Sequence, residues 1–157
     1  MAESRVGQGF DVHRFAAGRE LWLGGVRFEG EGLAGHSDGD AVCHALADAL
    51  LGAAGLGDIG ELFPDTDPLF EGIGGLDLLG RVVERVRGAG LEPASADLTV
   101  IAERPAIAPA RDEIRSGIAR VLGVAPDRVS VKATRPEGLG LVGDGVGCLA
   151  LAVLRAP

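Results

Sequence analysis

The sequence predicts an α+β domain, a mixed β-sheet with helices packed on one face. Three observations carry this reading. The apolar period switches between two residues and three to four in the order β-β-α-α-β-α-β-β, with no internal repeat. The 157 residues suit a single domain over 1–157, and 46% are hydrophobic, enough for a core without staples. Glycine is frequent at 26 residues, tyrosine is absent and aromatics make up 4%, so the core is aliphatic and the turns are tight.

Arg5 to Phe15 and Glu20 to Phe28 are apolar-rich runs joined by Ala16-Ala17-Gly18-Arg19, a loop that fits a hairpin of two opening strands. Ser37-Asp38-Gly39-Asp40 offers N-caps for a helix striped by Ala41, Ala45, Leu46, Ala49 and Leu50 and ending near Gly52 to Gly57. Asp58 to Gly75, with Pro64 and Pro68, is longer than an ordinary connection and reads as a functional loop. Leu76, Leu79, Val83 and Val86 describe a second helix stopped by Gly88 or Gly90, and Ala96 to Glu103 alternates as a half-buried strand. Ile114, Ile118, Val121 and Leu122 mark a third helix. Val129, Val131 and Ala133 form a strand with Ser130, Lys132 and Thr134 on its other face, and Val146 to Leu154 is the last strand.

Charge narrows the partners. With 15 Lys+Arg against 23 Asp+Glu the net charge is −8, which disfavours nucleic acid and anionic membranes. Met1 to Phe10 lacks the apolar core of a signal peptide and no run approaches the ~20 residues of a spanning helix, so a cytoplasmic location is expected. Cys43 and Cys148 stand outside any CxxC spacing and read as buried small hydrophobes. Gly138-Leu139-Gly140-Leu141-Val142-Gly143 lies between two strands, so it is a glycine-rich turn and not a dinucleotide fingerprint. A P-loop is excluded because the one lysine, Lys132, has no glycine before it.

His13, His36 and His44 all fall in the first third of the chain, each within four residues of an aspartate. Asp11 and His13 are i and i+2 on a strand, so they leave one face and can chelate one ion, with Val12 turned to the core. His44 lies one helical turn from Asp40 and Asp48, either of which can accept the free ring N–H of a metal-bound imidazole. Two histidines, one aspartate and an open position are the pattern of a catalytic zinc site; the same residues also fit a polar strand face and a satisfied core histidine. His36 precedes a helix cap and is either a loop hydrogen-bonder or a partner of an anion held there. Phe63-Pro64-Asp65-Thr66-Asp67 is an acidic turn, which fits a functional loop or a solvated turn that merely closes one. Lys132, Thr134, Arg135 and Glu137 gather cations, a hydroxyl and a carboxylate at one strand end, which suits a phosphate and its hydrated metal and equally fits a solvated strand end.

Read together, Gly9-Phe10-Asp11-Val12-His13, His36-Ser37-Asp38-Gly39-Asp40 with His44, Leu56-Gly57-Asp58-Ile59-Gly60, Phe63-Pro64-Asp65-Thr66-Asp67 and Val131-Lys132-Ala133-Thr134 resemble the 2-C-methyl-D-erythritol 2,4-cyclodiphosphate synthases over nearly the whole chain. The resemblance implies a homotrimer with active sites between subunits. It also implies a cytidyl diphosphate substrate, 4-diphosphocytidyl-2-C-methyl-D-erythritol 2-phosphate, which is cyclised with release of CMP. Zn2+, or another divalent transition metal, is implied at Asp11, His13 and His44, and Mg2+ or Mn2+ on the diphosphate with Glu137. By the same resemblance His36 and Ser37 contact phosphate, and Asp58, Ile59, Gly60 and Asp65 contact the methylerythritol part, with Phe63 and Asp67 in the same acidic turn. Ala102 to Ile107, with Pro105 and Ala106 among them, are implied to form the cytidine side with Ala133 and Thr134, and Lys132 is a further expected substrate contact. His36 and Arg135 are the expected catalytic residues.

The chain departs from the family pattern where Arg135 replaces a second threonine, Pro136 a further hydroxyl residue, Ala106 and Gly138 two lysines, Asp144 an arginine and Val146 an acidic residue. Three cations are thus missing around a polyanionic ligand, while Arg135 brings one back. The alternative implied by these departures is a weakened paralogue, a zinc-containing trimer that only binds its ligand.

Overall fold

The computed structural model describes residues 3–157. In chain order the elements are β1 (Ser4–Ala16), β2 (Leu21–Leu23), β3 (Val26–Phe28), β4 (Gly32–Leu33), α1 (Ala41–Ala54), α2 (Ile59–Leu62), α3 (Gly75–Gly88), β5 (Glu92–Ala102), α4 (Arg111–Leu122), β6 (Val129–Thr134) and β7 (Gly145–Arg155). The main sheet is five-stranded in the order β4-β1-β7-β5-β6, and β2 and β3 form a separate two-stranded ribbon. β5 and β6 run parallel, joined through α4, and the other pairs are antiparallel, so the sheet is mixed as the pattern predicts.

The helices lie on one face. Gly7 and Gly9 of β1 are what lets α1 lie so close: a Cβ at Gly7 would stand 1.9 Å from the Ala49 carbonyl oxygen, and one at Gly9 1.9 Å from that of Ala45. The alanines of α1 meet these glycines, and Leu46, Leu50 and Leu51 fill the layer with Leu79 of α3 and Leu98 of β5, all fully buried. Each such leucine contributes about 1.5–3 kcal/mol. Asp40 caps α1 through Val42 and Cys43 N–H and also accepts Gly24 and Gly25 N–H, so one buried carboxylate ties the helix start to the β2–β3 turn.

Two expectations are corrected. Because α1 is drawn onto the face carrying Gly7 and Gly9, Asp11 and His13 also turn toward the helices, and Val12 points the other way at 46% exposed. Glu20 to Phe28 is not a strand paired with β1. It folds back on itself at Gly24-Gly25 as β2 and β3, and the β1 partner is the two-residue β4, with Phe15 opposite Leu33. The long loop after α1 is organised by α2 and a 3-10 turn, Pro68–Phe70, capped by Asp58 and Asp67. Cys43 and Cys148 are buried, as expected.

Candidate active site

Strand and helix converge at one point. β1 presents Asp11 and His13 on its helix-facing side, and α1 sends His44 down onto them. Asp11 Oδ2 lies 2.6 Å from His13 Nε2 and 3.2 Å from His44 Nδ1, and those two nitrogens are 3.2 Å apart. The remaining ring nitrogens are held from behind. His13 Nδ1–H donates to the Ala34 carbonyl at 2.5 Å, and His44 Nε2 is hydrogen-bonded to Ser37 Oγ at 2.9 Å. A metal bound at this point would meet the inward nitrogen of each imidazole once that nitrogen has given up its proton.

These three residues are a group that can hold a divalent metal, and their donor set fits one. Ligands about 2.0–2.1 Å from a tetrahedral ion stand roughly 3.3 Å apart, close to two of the three separations here. Burial works to raise the Asp11 carboxyl, but hydrogen bonds from His13 and His44 outweigh it and hold the group well below the usual carboxylate range. Burial likewise works to lower His13, and its bond to Asp11 outweighs that, raising the imidazole above its ordinary value.

The helical neighbours do other work than expected. Asp40 is consumed as the cap described above. Asp48 accepts the Ile59 N–H at 2.9 Å and ties α1 to α2. The partner of His44 is Ser37, across the chain, which also accepts Gly39 N–H at 3.2 Å.

Above the cluster is a cleft of about 350 Å³. Asp11, His13 and His44 share it with His36, Ser37, Ile59, Gly60, Phe63 and Asp65. Its wall is stiffened by Phe63 and Phe70, edge to face at 4.9 Å. His36 Nε2–H donates to the Asp67 carbonyl at 3.1 Å, which ties His36 to the acidic turn, while Asp67 itself does not line the cleft and its carboxylate caps Leu69. Asp58 caps α2 by accepting Glu61 N–H.

A second cleft, of about 220 Å³, opens where β5 and β6 end. Ala102, Pro105, Ala106 and Ile107 line it with Ala133, Thr134 and Arg135, together with Arg111, which the sequence reading missed. The two linings share no residue. Lys132 lies on the uncovered face of the sheet, paired with Asp97. Glu137 is exposed in the loop after β6 at φ 54°, a left-handed conformation uncommon outside glycine, and Glu103 holds the next N–H, that of Gly138, at 2.9 Å. Asp144 pairs with Arg104 at 3.4 Å, and that guanidinium lies 4.0 Å over the Phe15 ring. Among the described residues no helix is long and apolar enough to cross a membrane.

Comparison with known proteins agrees with this arrangement. Residues 4–156 match the model of the YgbB family. The chain is 54% identical over 155 residues to the 2-C-methyl-D-erythritol 2,4-cyclodiphosphate synthase of Salinibacter ruber, covering 97% of this chain and 99% of that protein. It is 53% identical over 148 residues to a bifunctional enzyme IspD/IspF of an Anaeromyxobacter species, covering 94% of this chain but 38% of the relative, so it spans about two fifths of such bifunctional proteins. Among solved structures, the bifunctional IspDF of Campylobacter jejuni superposes with a TM-score of 0.94 at 42% identity, over 100% of this chain and 43% of that one. A CDP-bound 2C-methyl-D-erythritol-2,4-cyclodiphosphate synthase superposes at 0.88 and 38% identity, over 96% of this chain and 99% of that one. A family match from residue 4 to residue 156, on a fold and cleft of this form, means that the chain belongs to the YgbB family, that of the 2-C-methyl-D-erythritol 2,4-cyclodiphosphate synthases.

Proposed function

We propose that this chain converts 4-diphosphocytidyl-2-C-methyl-D-erythritol 2-phosphate into 2-C-methyl-D-erythritol 2,4-cyclodiphosphate and CMP, acting as a phosphorus–oxygen lyase. The observation that carries the reading is the convergence of Asp11, His13 and His44 at the base of a cleft bordered by His36, Ser37, Phe63 and Asp65. An oxygen of the substrate's own 2-phosphate forms a bond to the β-phosphorus, the bond from that phosphorus to the bridging oxygen breaks, and CMP leaves with the electron pair. No enzyme nucleophile is consumed, so the protein's task is to position the chain of the substrate and neutralise its charge.

Asp11, His13 and His44 would hold Zn2+, and Glu137 a Mg2+ or Mn2+ shared with the diphosphate. Bound there, such ions supply Lewis-acid polarisation of phosphoryl oxygens. His36 and Ser37 orient the phosphate next to the cluster, while Asp58, Ile59, Gly60 and Asp65 receive the methylerythritol hydroxyls. The second cleft takes the cytidine, with Thr134 and Arg135 turned to the phosphates and Arg111 adding positive charge.

A homotrimer supports this chemistry because the two clefts have no residue in common and one substrate has to reach both. Val6, Phe10, Val12, Leu149 and Leu151 leave an apolar band on the uncovered face of β1 and β7, which is the surface such an assembly would bury. The direct test is to incubate the protein and divalent metal with the cytidyl substrate and follow CMP and the cyclic product by mass spectrometry. Formation of neither product would overturn the reading, and sedimentation as a monomer at assay concentration would overturn the trimer.

A further inference from the structure

Arg19 lies in the loop between β1 and β2, outside every motif recognised in the sequence. Its guanidinium donates through Nη1 to the Gly35 carbonyl at 2.7 Å and through Nη2 to the Ser37 carbonyl at 2.5 Å. Those two carbonyls flank His36. The arginine forms no ion pair with a carboxylate among the described residues, so its charge is directed at this backbone segment alone.

The rest of the segment is held from other sides. Ala34 O accepts from His13, His36 O accepts Gly72 N–H at 2.9 Å, and Asp38 N–H donates to Ile73 O at 3.2 Å. Four successive carbonyls, from Ala34 to Ser37, are therefore fixed, and Arg19 alone fixes the second and the fourth. A trans peptide directs its N–H opposite to its carbonyl. Clamping Gly35 O and Ser37 O thus sets the planes on either side of His36 and Ser37, the two residues that carry the imidazole and hydroxyl into the cleft. Arg19 is anchored in turn, since its own carbonyl accepts Gly32 N–H at 2.9 Å where β4 begins.

We propose that Arg19 is a positioning residue of the active site, a two-pronged clamp that holds His36 and Ser37 in register with the Asp11, His13 and His44 cluster. The inference rests on the synthase reading given above. A planar fork spans two carbonyls at once, whereas a lysine ammonium engages one. Misplacement of reacting groups by about 1 Å costs on the order of 100-fold in rate.

The experiment compares the wild type with Arg19→Ala and Arg19→Lys, each loaded with zinc. Amide hydrogen exchange should rise at least about tenfold at residues 35–38 in Arg19→Ala and less in Arg19→Lys, with the rest of α1 unchanged. Turnover of the cytidyl substrate should fall roughly 10- to 100-fold in kcat in Arg19→Ala, with a smaller change in KM and with bound zinc retained. Guanidinium ion at millimolar concentration should restore part of that loss and leave the wild type unaffected. Unchanged exchange at 35–38 would overturn the clamp, as would lost activity that merely tracks lost zinc or lost fold and is not rescued. A wild type that releases no CMP while the exchange changes as expected would refute the synthase reading and leave the clamp standing.

Discussion

His44 Nε2 lies 2.9 Å from Ser37 Oγ, and this bond fixes which nitrogen of His44 faces Asp11 and His13. A metal site depends as much on such backing contacts as on the ligands themselves. The loop that carries Ser37 and His36 and the helix that carries His44 are therefore coupled before any substrate arrives.

Ser37→Ala should weaken zinc binding by roughly 10- to 100-fold, because His44 loses the partner that orients its ring. Competition titration with a chromophoric chelator measures this directly. Affinity equal to that of the wild type would show that helix packing alone orients the imidazole.

Metal affinity should depend on pH through His13. Asp11 is ionised throughout the neutral range, whereas the His13 pKa is raised from 6.5, so a bound metal has to displace a proton held there. Affinity should rise about tenfold per pH unit up to the folded pKa of His13 and level off above it. Stability of the metal-free protein runs the other way. A raised pKa contributes stability that is fully present below 6.5 and is lost as pH climbs through the folded value. Scanning calorimetry should show the metal-free Tm dropping across that interval, and His13→Asn should remove the drop.

Gly9→Val should destabilise the fold by about 3 kcal/mol or more, since the added Cβ alone would stand 1.9 Å from the Ala45 carbonyl oxygen and 2.8 Å from Ala49 N. Neither is the end of a flexible side chain. Urea unfolding is the measurement, and an unchanged midpoint would mean that α1 can lift from β1 without cost.

Arg135→Thr should lower kcat by about 10- to 150-fold, the equivalent of one charge-assisted contact of roughly 1.5–3 kcal/mol realised in the transition state. Arg135 lines the second cleft beside Thr134. Steady-state assay of CMP release decides the matter, and equal or faster turnover would show the arginine to be a bystander.

The sequence by itself determined the three long helices, most strands of the mixed sheet and the core of the candidate site. Periodicity marked α1, α3, α4 and the last three strands, and the i, i+2 spacing of Asp11 and His13 placed both on one face whatever the rest of the chain did. The tertiary structure decided which face that was. The close approach of α1 to Gly7 and Gly9 put Asp11 and His13 under the helix and left Val12 outside, a fact about a neighbour that strand alternation cannot supply. It also decided what backs each ligand. Reasoning along one helix offers His44 the carboxylates at i±4, yet Asp40 is drawn away by four N–H groups and Asp48 by Ile59, so the ring finds Ser37. Arg19 left no trace in the sequence because its partners are carbonyl oxygens, which every residue carries alike, and only the path of the chain brings two of them within reach of one guanidinium.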